Sequence, residues 1–365
     1  MKRSLLGQLR CPSCHGALIL HAYKSIAETE VIDGLLKCDC GASFLLHEGV
    51  PCMEAPMRLP AAYSQAYRDA LKRDAPSLAE LEVEPPAANF SFSWQWNAHL
   101  YDDLTWELRL TQRVSLFYRY TGLTPREVRG VRLLDAGCGN GTLSAALASE
   151  GFEVVGLDRS AGALRAFKYQ WFDSLVTQAA AARLNYVQGD LQQPPFDDGE
   201  FDLIYSDGVM HHTPDTKRTF LAVSRKVKMG GRLFIWLYRS DTRGLQALKI
   251  KAVKLVRFVT GRMSYAARWR LCYAGALIIM TGVRLLRLFG WHGRPAIPVR
   301  QKAINLFDTI TPTFNHEHTP AEARQWFEEA GFSNIQEVSI AEFRLAAGGF
   351  AMIGTRISDR ALGSR

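Results

Sequence analysis

The chain has 365 residues, a formal net charge of +8, and 47% hydrophobic and 22% charged residues. This length is enough for a full domain core and an additional module. The amino end lacks the apolar run of a secretory signal peptide, and the longest nearly apolar stretch, 271–283, is shorter than the roughly 20 residues of a membrane-spanning helix. We therefore expect a cytoplasmic protein whose seven cysteines are thiols or metal ligands rather than disulfide partners.

Four of the seven cysteines form two close pairs near the amino end. They are Cys11, Cys14, Cys38 and Cys40. Tetrahedral zinc needs thiolates that converge from two tight turns, and a glycine follows each pair closely. The pattern predicts a structural Zn²⁺ in a ribbon-like module, since four thiolates leave no open position for catalytic water. The second pair has one intervening residue, whereas the first has two. One of the ligands could therefore instead be His15, His47 or Cys52, or the ribbon could have lost its metal.

Two stretches of different composition follow this module. Alanine, proline and alternating charge predict a linker with one short helix near residues 61–71. Aromatic residues then concentrate between 90 and 106, ahead of a helix that runs through Tyr120. The aromatic segment is interpreted either as a helix that covers the edge of a sheet or as a lid over a neighbouring ligand site, and the two are compatible.

Residues 131–145 read as an apolar strand, an acid, three alternating glycines and a helix start. The glycines, Gly137, Gly139 and Gly141, let the backbone turn sharply and approach a ligand closely. Asp135 ends the strand, at the edge where open α/β sheets bind ligands, and the helix directs its N–H groups to the same point. A dinucleotide fingerprint would place its third glycine where this chain has Thr142, and a pyrophosphate would be repelled by the acid. A cationic nucleotide-like ligand is therefore expected.

Strands and helices alternate from this point onward. The predicted strands are 131–135, 153–158, 185–188, 201–206, 232–238, 333–340 and 350–357. The alternation predicts an α/β fold with a seven-stranded sheet and helices on both faces. The second strand ends in Asp158, at the spacing expected of a carboxylate that accepts hydrogen bonds from ribose hydroxyls, although a solvated acid can end any strand.

Taken together, these motifs resemble the class I S-adenosylmethionine-dependent methyltransferases, in particular their quinone-type members, from Leu133 to Trp236. The resemblance implies a Rossmann-like sheet and a cofactor site. The implied cofactor-binding residues are Asp135, Gly137, Gly139, Asn140, Gly141, Asp158, Arg159, Asp190, Leu191 and Ser206. In related methyltransferases a lid over the cofactor precedes the glycine motif, so Arg109 is expected to pair with the carboxylate of the methionine part.

The cysteine module has a resemblance of its own. Together with its tail at 44–51, it is similar to the zinc ribbon of the small activator proteins of tRNA and protein methyltransferases. That likeness again implies a structural rather than a catalytic zinc.

Two adjacent histidines, His211 and His212, lie just past the fourth strand, beside the expected position of the methyl group. Methyl transfer from a sulfonium requires alignment of the acceptor and, for a hydroxyl acceptor, removal of its proton. Histidine is suited to this near neutral pH, so one of the two is expected to act as general base while the other packs against the loop. The polar cluster 315–318 either lines the acceptor pocket or caps the next helix.

The loop after the fourth strand also argues against one acceptor class. Amino-directed nucleobase methyltransferases resemble one another in an Asp or Asn, two prolines and an aromatic there, whereas this chain has Ser206 followed by Asp, Gly and Val. Activity on DNA adenine or cytosine N4 is therefore not expected.

Basic residues concentrate in one part of the chain. Residues 239–302 hold 14 Lys and Arg against a single acid, Asp241, a local net charge of +13, and apolar residues recur there at helical spacing. The segment is interpreted as a helical insertion with a solvated basic face or as an amphipathic surface for anionic lipid headgroups. Binding of nucleic acid is a third interpretation, weakened by the few aromatics among the charges.

The predicted organisation is a zinc-ribbon-like module at 1–55, a linker and aromatic-rich lid at 56–125, a cofactor-binding methyltransferase core at 126–240, a basic amphipathic insertion at 241–303 and the rest of the core at 304–365. The predicted activity is O-methylation of a small or lipid-linked molecule. The alternatives are an RNA methyltransferase that docks through the ribbon and the insertion, and a non-catalytic module that senses the cofactor. The expected location is the cytoplasm, with peripheral contact at the inner membrane surface. The oligomeric state is left open.

Overall fold

A computed structural model describes residues 1–54, 64–79, 104–105, 108–160, 177–241, 244–291, 297–340 and 348–358. The aromatic segment at 90–103, most of the predicted lid, lies outside these residues.

The amino-terminal module is an antiparallel meander that continues the main sheet. A short helix, α1 (Arg3–Leu6), precedes strands β1 (Leu18–Ala27), β2 (Glu30–Cys38), β3 (Ser43–His47) and β4 (Val50–Cys52). The last strand joins the edge of the core in parallel, with Cys52 opposite Gln188, and the Met53 amide donates to the Gln188 carbonyl at 2.8 Å. The ribbon and the core therefore share one eleven-stranded sheet.

The core supplies the other seven strands of that sheet. They are β7 (Arg132–Ala136), β8 (Glu153–Asp158), β9 (Leu184–Gln188), β10 (Phe201–Asp207), β11 (Val227–Tyr238), β12 (Phe332–Val338) and β13 (Gly349–Arg356), and a separate ribbon pairs β5 (Leu104–Thr105) with β6 (Leu108–Arg109). Their order is β9-β8-β7-β10-β11-β13-β12, with β13 antiparallel to both neighbours. The predicted seven-stranded α/β core is confirmed. Because the chain runs outward in both directions from β7, a crevice opens at the carboxyl ends of β7 and β10.

Helices cover both faces of this sheet. The described helices after α1 are α2 (Gln65–Asp74), α3 (Pro76–Ala79), α4 (Leu110–Thr121), α5 (Thr142–Glu150), α6 (Gln178–Arg183), α7 (Thr216–Ser224), α8 (Gly244–Thr260), α9 (Tyr265–Leu288), α10 (Val299–Ile310) and α11 (Pro320–Glu329). Of these, α4 and α5 pack on one face of the sheet and α7 and α11 on the other. Side chains alternate along each strand, so Leu134 packs with α7 and α11 while Leu133 packs with α4 and α5. The predicted α11 begins with a capping box in which Thr319 and Glu322 bond each other's backbone amides.

The predicted helical insertion consists of α8 and α9. Among the residues that the structure describes, α9 alone is long and apolar enough to cross a membrane, by length and composition only. The apolar stretch 271–283 lies inside this helix, which continues past Arg270 and Arg284 because arginine is a good helix former. Only three residues of the helix, Cys272, Ala276 and Met280, are buried.

Candidate cofactor and catalytic site

A cavity at the carboxyl ends of β7, β8 and β10 brings together most of the predicted site. The predicted residues that line it are Asp135, Gly137, Gly139, Asn140, Asp158, Arg159, Asp190, Leu191 and His212. They come from four separate strand ends and the loops that follow. The parallel sheet places these ends side by side, which is why distant motifs meet in one place.

Asp135 lies at the bottom of this cavity. The side chain is buried, and its Oδ2 accepts a hydrogen bond from Ser144 Oγ on α5 at 2.6 Å. Burial raises the pKa of the Asp135 carboxyl from 3.8 to about 6. The site thus holds an acid whose negative charge is poorly solvated, and a positively charged ligand would stabilise it.

Asp158 organises the loop that follows the first strand. Its Oδ2 accepts from the Gly139 amide at 2.9 Å and its Oδ1 from the Ser160 amide at 2.8 Å. Burial raises its pKa to about 6, while these backbone donors oppose the shift. The carboxylate therefore holds the glycine loop in place and still lines the cavity.

At two positions of the loop glycine is required for two reasons: the backbone has a positive φ, and a Cβ atom would clash with a neighbouring side chain. Gly137 has φ +91, and a Cβ there would lie 2.4 Å from the side chain of Val209. Gly141 has φ +76 and starts α5. It does not line the cavity, and Tyr186, whose hydroxyl donates to the Gly141 carbonyl at 2.8 Å, fills the space beside it. Gly141 therefore shapes the loop, whereas Gly137 leaves room for the Val209 side chain at the cavity wall.

Besides Gly141, two predicted cofactor residues do not line the cavity. Ser206 is buried, and its Oγ donates to the Ala136 carbonyl at 2.9 Å, which ties β10 to β7. Arg109 is exposed at the start of α4. Arg113, one helical turn further along, lines the cavity and donates to Thr142 Oγ1 at 3.0 Å. The guanidinium at the cavity is therefore that of Arg113, one turn into α4, and not that of Arg109, which precedes the helix.

A residue of the ribbon also reaches this side of the cavity. Glu54 follows β4, and its Oε1 lies 2.9 Å from Nε of Arg159. Burial raises the pKa of Glu54 to about 7. No sequence signal marked Glu54, because this contact depends on the pairing of β4 with β9.

The predicted acceptor side of the cavity is formed by His212 and the loop before α11. Pro312, Thr313 and Phe314 line this side, and the Phe314 carbonyl lies 2.9 Å from His212 Nδ1. In the tautomer in which Nδ1 donates to that carbonyl, the lone pair of His212 lies on Nε2. Burial lowers the pKa of His212 to about 4, so the imidazole is neutral at pH 7.

His211 stands behind His212 rather than in the cavity wall. It is fully buried, its Nε2 lies 3.1 Å from His212 Nε2, and burial lowers its pKa well below the usual value. The cluster predicted at 315–318 contributes support instead of lining, since the His316 amide donates to the His211 carbonyl at 2.9 Å. A general-base role for either histidine stays a prediction.

Two polar residues of the fourth strand were not predicted. Tyr205 and Asp207 both line the cavity, and the Tyr205 hydroxyl donates to Asp207 Oδ2 at 3.0 Å. Their positions, two residues apart at the end of β10, put both side chains on one face of the strand.

The four predicted cysteines converge at the other end of the ribbon. Their sulfurs all lie within 4.8 Å of one another, with Cys11 Sγ 3.7 Å from Cys40 Sγ and Cys14 Sγ 3.4 Å from Cys38 Sγ. Four sulfurs bound to a tetrahedral Zn²⁺ at about 2.3 Å would lie about 3.8 Å apart. Of the alternative ligands, His47 instead bonds Asp33 at 2.9 Å and Cys52 lies on β4, so the shorter second pair still completes a set of four thiols.

Comparison with known proteins agrees with this geometry. Residues 134–235 match the family described as a methyltransferase domain. The ubiquinone biosynthesis O-methyltransferase of Cronobacter sakazakii is 30% identical over 36% of this chain and 51% of its own length. The tocopherol O-methyltransferase of Arabidopsis thaliana is 31% identical over 36% of this chain and 38% of its own length, so the chain matches about half or less of these relatives.

Among solved structures, magnesium protoporphyrin IX methyltransferase of Synechocystis covers 74% of this chain and 97% of its own, at 15% identity and a TM-score of 0.43. Residues 134–235 thus match a methyltransferase domain, and the strand order and the glycine loop agree with that match.

Proposed function

We propose that this protein transfers the methyl group of S-adenosylmethionine to an oxygen of a small or lipid-linked acceptor. The observation that carries the proposal is the cavity itself, which is lined by the buried Asp135, the half-buried Asp158 and His212. The names of two relatives, a ubiquinone biosynthesis and a tocopherol O-methyltransferase, support a hydroxylated acceptor of this kind.

The cavity residues fit such a cofactor, which supplies an activated methyl group on a positively charged sulfur. Asp158 would accept hydrogen bonds from the ribose hydroxyls, and Asp190 with Leu191 would hold the adenine. Asp135 and Arg113 would hold the amino and carboxylate groups of the methionine part, since they supply opposite charges at the start of α5. The poorly solvated charge of Asp135 is the observation that favours a cation here.

His212 is the proposed general base. A hydroxyl that enters beside its Nε2 would take the place of His211 as hydrogen-bond donor, and the hydroxyl proton would pass to that nitrogen as the oxygen becomes nucleophilic. Phe314 orients the ring through the hydrogen bond at Nδ1, and the His211 ring packs against the His212 ring with 4.2 Å between their centroids. His212 thus acts on the acceptor, while His211 is a positioning residue.

The four cysteines are proposed to bind one structural Zn²⁺. The convergence of their sulfurs supports this, and four thiolates would fill the coordination sphere. We assign the metal a role in folding the ribbon rather than in catalysis.

The experiment combines calorimetric titration with S-adenosylmethionine and a methyl-transfer assay on a panel of phenols and hydroquinones. His212→Ala should bind the cofactor normally and lose about 100-fold or more in kcat, because a general base contributes on that order. The exposed His21 provides the matched control, and His21→Ala should leave both quantities unchanged. Absence of cofactor binding in the unmodified protein would refute the proposal, and full turnover in His212→Ala would refute the role of the base.

A further inference from the structure

Exposed apolar side chains are concentrated on one part of the molecule. Among the described residues, fifteen of the nineteen large hydrophobic side chains that are exposed lie between Leu248 and Trp291, on α8, α9 and the turn after α9. An apolar surface of this extent on a folded domain marks an interaction site.

Helix α8 has a protein-facing side and an apolar outer side. Thr260 is buried and Arg257 half-buried on the side that faces the domain. Leu248, Leu255 and Val259 recur at spacings of seven and four residues on the opposite side, and each is about two-thirds exposed. The helix therefore directs an apolar stripe away from the protein.

Helix α9 repeats this arrangement on α10. Cys272, Ala276 and Met280 are buried at four-residue spacing, and α9 packs along α10 on that side. Leu271, Ile278 and Leu285 recur at seven-residue spacing on the other side, where Ile278 is 74% exposed. We call the two outward apolar sides of α8 and α9 together the outer face.

The charge of the same segment selects the partner. The local net charge of +13 repels a second copy of this segment but attracts an anionic surface. The phosphates of RNA would pair with the Lys and Arg side chains, but the apolar side chains of the outer face would stay exposed to water. An anionic phospholipid bilayer satisfies both, because its headgroups pair with Lys and Arg while its acyl chains cover the apolar side chains.

The position of the arginines favours a helix that lies in the interface over one that crosses the membrane. Between Arg270 and Arg284, α9 has thirteen uncharged residues, about 20 Å of helix against a hydrocarbon core of about 30 Å. One side of α9 is also occupied by α10. We propose that the outer face docks this protein on an anionic membrane, with α8 and α9 parallel to the surface.

This surface is connected to the acceptor side of the cavity. Arg257 of α8 donates to the Pro312 carbonyl, and Lys254 lies 3.0 Å from Glu317. Pro312 begins the loop that lines the cavity beside His212. Docking would therefore hold the acceptor side near the lipid, and, if the proposed methyl transfer is right, the acceptor is a molecule carried in the membrane.

The test is flotation of the full chain with vesicles of phosphatidylcholine alone and of phosphatidylcholine with one quarter phosphatidylglycerol. We expect binding to the anionic vesicles only, and a loss of about tenfold or more in affinity when salt is raised from 0.1 M to 0.5 M. Failure to float with anionic vesicles at 0.1 M salt would overturn the proposal.

Two isoleucines supply a matched pair of variants. Ile278→Glu, on the outer face, should reduce vesicle affinity about tenfold or more, because it places a charge in the acyl region. Ile26 on β1 is 72% exposed, close to the 74% of Ile278, so Ile26→Glu should change nothing. Equal binding of the two variants would overturn the docking face, as would tighter binding to bulk tRNA than to vesicles or an Ile278-dependent dimer in sedimentation.

Calorimetry with S-adenosylmethionine on the same samples, without vesicles, keeps the two proposals separate. Both variants should bind the cofactor like the unmodified protein. Vesicle binding without cofactor binding would refute only the methyltransferase activity, and the reverse result would refute only the docking.

Discussion

Asp135 and Asp158 end adjacent parallel strands, and burial raises the pKa of each carboxyl to about 6. In the ligand-free fold the negative charge of Asp158 adds to the cost of ionising Asp135. A folded-state pKa above the ordinary 3.8 means that these groups stabilise the ligand-free fold at low pH and that this contribution is lost as the pH rises through 6. Cofactor binding should have the opposite dependence, because it needs the ionised carboxylates.

The affinity for S-adenosylmethionine should therefore fall about tenfold for each of these carboxylates between pH 7 and pH 5. Calorimetric Kd values at half-unit steps of pH measure this fall. Asp158→Asn should weaken binding at pH 7 and remove part of the pH dependence. A Kd that is constant from pH 5 to pH 7 would contradict the assignment of the two acids.

Arg113 and Arg109 provide a second test at the scale of single residues. Arg113 lines the cavity and Arg109 is exposed one turn earlier. Arg113→Ala should weaken cofactor binding about tenfold or more through loss of a charge-assisted hydrogen bond. Arg109→Ala should leave the Kd unchanged. Equal effects of the two substitutions would contradict the assignment of Arg113 as the arginine that contacts the cofactor.

At the scale of elements, the ribbon depends on its two cysteine turns. The module is a meander of four strands, of which β4 has three residues, and α1 has only four. Small modules of this kind often rely on a metal for part of their folding free energy. The four sulfurs converge where the turns before β1 and after β2 meet, so a metal bound there would link these two turns.

Metal analysis of the purified chain should give one zinc per molecule. Cys38→Ser should lose the metal and lower the thermal midpoint, since the buried sulfur anchors the second turn. Cys52 lies outside the cluster, so Cys52→Ala should retain the zinc even if the midpoint falls slightly. Metal loss in Cys52→Ala alone would mean that this thiol is the fourth ligand.

At the scale of the whole molecule, one sheet connects the ribbon to the cofactor side of the core. The strand order runs from β1 through β4 to β9 and β8, and β8 carries Asp158. The Glu54–Arg159 pair adds a side-chain link at the same junction. The ribbon is therefore expected to support the cavity as well as its own fold.

Removal of zinc with a strong chelator should thus weaken S-adenosylmethionine binding several-fold, on the order of 1 kcal/mol in a coupling of this kind. Hydrogen exchange should also become faster in β9, where Met53 caps the strand edge. Restoring zinc should reverse both effects. A Kd that is the same with and without zinc would mean that the ribbon folds independently of the site.

The sequence by itself determined the features that depend on local chain geometry. The turn from Asp135 through Gly141 needs glycine backbone conformations that neighbours in sequence impose, and the two cysteine pairs converge through tight turns. The alternation of strands and helices could likewise be predicted from the sequence, because the apolar residues that each element buries recur with the period of that element. These local rules yielded the α/β core, the two acids that line the cavity and the cysteine cluster.

Tertiary packing alone decided what depends on contacts between distant residues. Packing of α4 against α5 turned Arg113 rather than Arg109 toward the cavity, and the pairing of β4 with β9 brought Glu54 to Arg159. Ser206 was drawn into a bond between strands. The exposed apolar side of α9 could be identified only from its packing against α10. A helix with apolar residues on more than one side does not show from its sequence which side is buried.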